Sequence, residues 1–500
     1  MQAQHRRLDE LVARIVAAPL GPVEGAVRIS GVHDDSRAVQ PGGLFVAIPG
    51  TRADGRQYID DAVRRGAAAI VGEDIGAVSG AVVLPVEDAR SALAQLAWRW
   101  YGLDRSSSSC PRLIGVTGTN GKTTVTTLVC AMLRHAGRRC GLLGTVAHDL
   151  AGAPVVAHMT TPGPLELGRL LAQCAANGAE WVVMEVSSHA LDQRRVAGLA
   201  FAAAGFTNLT QDHLDYHRTM ERYAAAKARL FAQVAGDGVA VVNRDDPHCR
   251  EMVRCCGARV VTYALDQAAD LTAAELREAI DATRYRLRIA GHIFDIETPL
   301  VGRHNVYNGL AAAGLALAAG VEPREIVAVL AAPPAVRGRL QRVPSGGGFE
   351  VFIDYAHTDD ALRNVGGALR RLARGRLIIV FGCGGDRDRT KRPRMAKAAA
   401  DCADVIIITS DNPRGEDPRA IIDDMLAGLD AAERRRTIVE PDRRAAIFLA
   451  VREARPGDVV LLAGKGHERC QIVGERRIAF DDDMVAREAL AARGQPGKAG

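Results

Sequence analysis

The apolar positions of the chain fall into short runs separated by glycine-rich or polar loops, and one run sets the frame for the rest. Leu113, Ile114 and Val116 form a β-branched, continuously apolar stretch that predicts a buried strand. A glycine turn follows, and then Val125, Leu128, Val129, Met132 and Leu133 recur at helical spacing, with Gly137 where a C-terminal cap belongs. Before this point, runs at 44–48, 68–71 and 82–86 predict strands, with helices at 58–65 and 91–101. A polar serine run at 106–109 marks a first boundary. After it, strands at 181–186, 202–207 and 239–243 alternate with helices at 165–177, 220–234 and 305–317, up to the break at Pro333-Pro334. The pattern then restarts with strands at 351–354, 377–381, 405–409 and 459–463. Strands alternating with helices predict parallel sheets covered on both faces. The expected architecture is α/β in three domains. Residues 1–109 form a small N-terminal α/β domain, 110–334 a central, doubly wound, mostly parallel sheet, and 335–500 a C-terminal Rossmann-like α/β domain.

Strand, glycine loop and helix N-terminus together make a phosphate cradle, because loop N–H groups and the helix dipole both point at the anion. The loop here is Gly118-Thr119-Asn120-Gly121-Lys122-Thr123-Thr124. Lys122 adds a point charge and the Thr123 hydroxyl is suited to magnesium. The common phosphate loop has a glycine where this chain has Val116, so the loop is a short variant. In an open α/β sheet, ligands bind beyond the carboxyl ends of the strands, so the loops there carry the chemistry. Glu185 ends one such strand and is either a magnesium ligand or a helix-capping acid. The segment 207–217 packs two histidines and two aspartates into one loop. It reads as a zinc site without a cysteine, a polar lining of a nucleotide–metal site with His213 nearest the metal, or a solvated turn. Lys227, in a helical stretch among alanines, reads on its own as a surface residue.

Three C-terminal loops follow predicted strands. Gly382 to Arg392 is dense in arginine and includes Arg387, Asp411-Asn412-Pro413-Arg414 is a rigid turn, and Gly464-Lys465-Gly466-His467-Glu468 ends in a carboxylate. Arg387, Arg414 and Glu468 suit an amino acid with its carboxylate and ammonium groups. The alternative is three unrelated surface loops. The net charge of +5 on 500 residues suits small anionic substrates and falls short of a nucleic-acid-binding composition. Ten cysteines follow no paired spacing, which predicts a reduced, cytoplasmic protein, and no apolar stretch approaches the roughly twenty residues of a membrane span.

Taken together these motifs resemble the Mur ligases, ATP-dependent amide-forming enzymes of peptidoglycan precursor synthesis. The resemblance rests on the short phosphate loop, on 184–189 (Met-Glu-Val-Ser-Ser-His), on 208–217 and 302–308, and on Asp354-Tyr355-Ala356-His357. It implies ATP bound by residues 118–124 with His304, Asn305, Asn308, Arg339 and Asp354. It also implies magnesium held by Thr123, Glu185, His213 and Lys227, the last as a carbamate. Asp411 to Arg414 is similar to the motif of the branch that adds meso-diaminopimelate. This implies a site made of Arg387, Asp411, Asn412, Pro413, Arg414, Gly464 and Glu468; relatives that add lysine lack the arginine. Ser36, Thr51, Arg52 and Ala53 fall in loops that resemble the uridine-nucleotide site, and Thr160, Thr161, Ser187, Gln193 and Arg195 fall where the family holds a muramoyl dipeptide. The expected substrates are ATP, UDP-N-acetylmuramoyl-L-alanyl-D-glutamate and meso-diaminopimelate, used by a monomer. Asp359 stands where the family usually has proline, while the polar residues of that segment are kept. Rival expectations are a lysine-adding relative, a folylpolyglutamate synthase, a phosphate-loop kinase or regulatory NTPase, and a silent nucleotide-binding scaffold.

Overall fold

The computed structural model describes residues 5–16, 20–50, 53–103 and 110–494. The serine run at 106–109 and the residues Thr51 and Arg52 lie outside them. The N-terminal sheet has four parallel strands in chain order, Val32–His33, Gly43–Ala47, Ala67–Gly72 and Val82–Pro85. The helix Ala89–Trp100 starts two residues before its expected position because the Asp88 carboxylate accepts the Ser91 N–H at 2.9 Å and caps it.

The central sheet has eleven strands. Its parallel part runs Cys140–Leu143, Trp181–Glu185, Arg112–Thr117, Phe201–Phe206, Val234–Asn243, Arg259–Ala264 and Leu271–Glu278. Side chains of one strand feed two cores. Trp181 and Val183 join the helices Lys122–His135 and Arg303–Ala318 on one face, while Val182 and Met184 join the helix Pro164–Ala176 on the other. Burial on both faces is why such strands read as unbroken apolar runs. Trp98 of the N-terminal helix also packs into the second core, and its indole donates to the Ala197 carbonyl at 2.7 Å.

Two expectations are corrected. The helix expected at 220–234 stops at Ala228, a short 3₁₀ turn Phe231–Gln233 follows, and Val234 opens a strand. Leu230, Phe231 and Val234 keep an apolar face through the 3₁₀ turn, and glycines 236 and 238 then favour extended chain over helix. An antiparallel extension, Leu271–Glu278, Thr283–Ile289 and His292–Thr298, widens the sheet and was not anticipated.

The C-terminal sheet runs Gln341–Val343, Glu350–Asp354, Val459–Ala463, Leu377–Phe381, Val405–Ile408 and Thr437–Val439, antiparallel only at the first pair. The strands ending at Asp354, Ala463, Phe381 and Ile408 are neighbours, so their following loops emerge side by side. The loops press close enough that a Cβ on Gly385 would lie 1.9 Å from the Pro413 carbonyl oxygen. Asp359 opens the helix Asp359–Leu372, which Thr358 caps by accepting the Ala361 N–H at 3.2 Å. That first helical position suits proline and aspartate alike, so the turn is that of an ordinary capped helix.

Candidate active site

The phosphate loop is held by the strap 207–210. The Asn208 side-chain oxygen accepts the Asn120 N–H at 3.0 Å, the Thr207 hydroxyl donates to the Asn120 carbonyl at 2.6 Å, and Thr119 N–H donates to the Asn208 carbonyl at 2.8 Å. Gly118 has φ +148°, and a Cβ there would sit 1.8 Å from the Thr207 hydroxyl, so glycine is obligatory. Lys122 donates to the carbonyls of Gly118 at 2.8 Å and Thr119 at 2.9 Å. Lys227 donates to the same Gly118 carbonyl, also at 2.8 Å. Lys227 is 1% exposed and lies over the Tyr223 ring at 4.3 Å, so it is no surface residue. Burial, then the Lys122 ammonium, pushes Lys227 well below the ordinary lysine range, and burial lowers Lys122 as well.

Glu185 is 1% exposed, and both its oxygens accept from Thr145, Oε1 from the N–H at 2.8 Å and Oε2 from the hydroxyl at 2.9 Å. The next helix is capped by Ser187, which accepts the Ala190 N–H, so Glu185 is not a helix cap. His213 has a left-handed backbone, φ 55°, and its ring meets His189 edge-on at 4.7 Å. Desolvation holds His213 well below the ordinary histidine range, leaving it neutral as a metal ligand must be. Among the described residues no three His, Cys, Asp or Glu side chains converge on one point. Magnesium favours oxygen ligands, and Glu185 and Thr123 offer a carboxylate and a hydroxyl.

A cavity of about 550 Å³ lies beside the loop, lined by Asn120, Gly121 and Thr124 and by His304, Asn305, Asn308, Arg339 and Asp354. Asn308 donates to the Asn305 side-chain oxygen at 3.1 Å, and Arg339 donates to the Thr123 hydroxyl at 3.1 Å while covering the Tyr355 ring. Both Asp354 oxygens accept backbone N–H groups, from Leu340 at 2.6 Å and Ala356 at 2.8 Å. A second cavity, about 420 Å³, opens between the domains. His189, Asp212 and His213 line one wall, and Arg387, Asp411, Asn412, Arg414, Gly464 and Glu468 line the other. Pro413 shapes the turn behind this wall.

Three family models match the chain: the Mur ligase middle domain over residues 116–316, the Mur ligase glutamate ligase domain over 338–466, and the Mur ligase family catalytic domain over 28–101. A UDP-N-acetylmuramoyl-L-alanyl-D-glutamate–2,6-diaminopimelate ligase from Solibacter usitatus is 44% identical, covering 97% of this chain and 99% of its own. The chain belongs to the Mur ligase family. The enzyme of the same name from Geobacillus kaustophilus is 46% identical over 93% of this Mur ligase and 96% of its own length. A solved structure of a ligase of that name superposes with a TM-score of 0.71 at 35% identity, covering 99% of this chain and all of the other. Thermotoga maritima MurF in complex with ADP shares the fold, with a TM-score of 0.59 at 20% identity over 92% of this chain and 96% of the other.

The residues that the resemblance places at the muramoyl dipeptide form one network that ends on Glu185. Thr161 donates to the Glu185 carbonyl at 2.9 Å and accepts the Ser187 N–H at 3.0 Å. Arg195 donates to the Thr161 carbonyl at 2.8 Å and to Gln193 at 2.7 Å, and the Thr160 and Thr145 hydroxyls lie 3.0 Å apart. In the N-terminal domain Ser36 is buried at the start of a 3₁₀ turn that Asp35 caps, and Ala53 is exposed. Neither was brought to the cavities beside the phosphate loop. Three further residues lie at the site without having been expected there: Thr145, Asp360 and Lys391. Lys391 lines the second cavity, and the Asp360 carboxylate accepts from Asn120 at 3.2 Å and Thr210 at 2.8 Å across the domains. Of these, Lys391 had a sequence signal, its place in the arginine-dense loop Gly382 to Arg392.

Proposed function

We propose that this Mur ligase joins meso-diaminopimelate to the D-glutamate γ-carboxylate of UDP-N-acetylmuramoyl-L-alanyl-D-glutamate, with ATP as the driving reactant. The units 1–109, 110–334 and 335–500 bind the uridine nucleotide, ATP and the amino acid respectively. A γ-carboxylate oxygen attacks the γ-phosphorus of ATP, the bond to the β-phosphate oxygen breaks, and ADP leaves. One amine of diaminopimelate then attacks the acyl carbon of the resulting acyl phosphate; phosphate departs, the nitrogen loses a proton, and an amide remains. Catalysis is positioning and charge stabilisation, so no side-chain nucleophile is required.

Lys122 faces the phosphates, whose negative charge opposes the lowering that burial imposes on its ammonium. Magnesium, where Thr123, Glu185, His213 and a carbamate on Lys227 would hold it, supplies neutralisation of the transferring group. The depressed Lys227 supports the carbamate, because only a neutral amine adds to carbon dioxide, losing a proton as the carbamate forms. The observation that carries the reading is the second cavity. Its carboxylate and guanidinium groups, Glu468, Arg387 and Arg414, face His189, Asp212 and His213 across the cleft.

No helix among the described residues is long and apolar enough to cross a membrane. The test is incorporation of labelled diaminopimelate in the presence of ATP, magnesium and the UDP-linked dipeptide. ADP release without incorporation refutes the reading.

A further inference from the structure

Lys465 lies in none of the cavity walls, yet it is fully buried, 0% exposed, directly behind the second cavity. Its ammonium has three N–H groups and three acceptors: Asn412 Oδ1 at 3.1 Å, Glu468 Oε2 at 3.0 Å and the Cys470 carbonyl at 2.8 Å. The donor set is therefore saturated inside the protein, with none left for a substrate. What it fixes is the two residues in front of it.

Asn412 Oδ1 accepts from Lys465 and from the Ile472 N–H at 3.0 Å, so its oxygen side is full. The amide must then turn its nitrogen the other way, where Nδ2 donates to Glu468 Oε2 at 2.7 Å. One amide hydrogen remains. Glu468 Oε2 is likewise occupied, by Lys465 and Asn412 together, and Oε1 is left to the cavity. The surrounding turn is zipped to the same hairpin: Arg414 N–H donates to the Ile472 carbonyl at 3.0 Å, and Gln471 donates to the Asp411 carbonyl at 2.7 Å.

We propose that Lys465 is the positioning residue of the amino-acid site. It fixes the orientation of the Asn412 amide and keeps Glu468 from swinging onto Arg414 or Arg387. The wall then offers an amide N–H, one carboxylate oxygen and two guanidinium groups together, a set matched to a ligand end bearing both a carboxylate and an ammonium group. Without the ammonium, Asn412 is free to flip and Glu468 is drawn to the nearest cation, which cancels the clamp charge for charge. A ligand whose far end is an ammonium alone uses only part of this set and depends on Lys465 less.

This inference rests on the amino-acid reading of the second cavity, and wild-type incorporation of diaminopimelate establishes that reading first. If the wild type incorporates a different amino acid, that reading fails, and Lys465 is scored on the KM for the amino acid used. The variants are Lys465→Met, which keeps length and removes charge, and Lys465→Arg, which keeps charge. In Lys465→Met the KM for the amino acid should rise at least about tenfold. The KM values for ATP and the UDP-linked dipeptide and the thermal midpoint should stay near wild type, and discrimination against lysine should fall. Lys465→Arg should recover part of the loss. An unchanged amino-acid KM overturns the proposal. So does a parallel loss in all three KM values and the midpoint, or failure of either variant to fold, since each assigns Lys465 to the stability of the domain alone.

Discussion

Arg414 is where the substrate assignment is most exposed to refutation. Its backbone is left-handed, φ 51°, and its N–H is tied to Ile472, so the side chain leaves the turn in a fixed direction. One Nη1 hydrogen donates to the Gly385 carbonyl at 2.8 Å, an anchor inside the protein. The opposite edge of the fork is free to face the cavity and to take a carboxylate through two parallel bonds. Removing one partner of a desolvated, charge-assisted pair costs about 2–5 kcal/mol. Arg387 lies in the same wall and stays behind to hold part of the charge, so the lower part of that range, about 2–4 kcal/mol, applies. At 1.4 kcal/mol per factor of ten, Arg414→Ala should raise the KM for diaminopimelate by roughly 30- to 700-fold. The KM for ATP should hardly move, because no residue of the phosphate loop touches Arg414. Lysine has no distal carboxylate, so its poor incorporation should be nearly unaffected. Steady-state kinetics with both amino acids decides the matter. Equal losses for lysine and diaminopimelate, or an unchanged KM, would refute a carboxylate contact at this residue.

Three further outcomes are expected. Lys227→Ala should abolish turnover while leaving the fold intact, with partial recovery on adding short carboxylates; wild-type activity should fall in carbon-dioxide-free buffer and return with bicarbonate, and full activity of the variant would end the carbamate idea. Asp482→Ala should destabilise the C-terminal domain by about 3–5 kcal/mol in urea unfolding, because it strands the fully buried Arg443 guanidinium that now pairs with it at 2.7 Å; a loss under about 1 kcal/mol would contradict this. The buried Arg392 guanidinium, with the Asp386 N–H, holds Glu416 down to about 2 from 4.5, so this carboxylate stabilises the folded state above about 4.5 and the benefit is lost as pH falls toward 2. Glu416→Gln should flatten that part of the thermal midpoint's pH profile, and an unaltered profile would count against the pairing.

The sheets were legible because their strands are apolar on both faces, as Trp181–Glu185 shows, and the phosphate loop was legible because its glycine, lysine and threonine chemistry is local. The strand Thr283–Ile289 had an equally clear signal that went unused. Thr283, Tyr285, Leu287 and Ile289 are buried while Arg284, Arg286 and Arg288 between them are exposed, a period of two. Lys227 was different. Its neighbours are alanines, which mark no face, and burial at that helix position is set by Gly118 more than a hundred residues away in the chain. Thr145 and Lys465 were hidden for a related reason. Each acts on a residue that carries chemistry, Glu185 or Asn412, through contacts that only the sheet order creates. Family resemblance supplied Lys227, because a motif records position even where pattern does not.

Under the proposed mechanism, the domain contacts link ATP binding to amino-acid delivery. Two residues of the C-terminal domain reach the phosphate loop directly, Asp360 on Asn120 and Arg339 on Thr123. Asp360 also takes the Thr210 hydroxyl, from the strap that holds the loop. Under the proposed mechanism Thr123 faces magnesium and Asn120 faces phosphate, so a bound triphosphate competes with Arg339 and Asp360 for the same hydrogen-bonding groups. A carboxylate so near the phosphates is repelled as they arrive, whereas a guanidinium is attracted. The two contacts therefore respond to the nucleotide with opposite sign. The amino-acid wall rides on that same domain, through the strands ending at Asp354 and Ala463. Under the proposed mechanism, the charge at the phosphate loop and the wall that holds the amino acid are coupled through these two contacts.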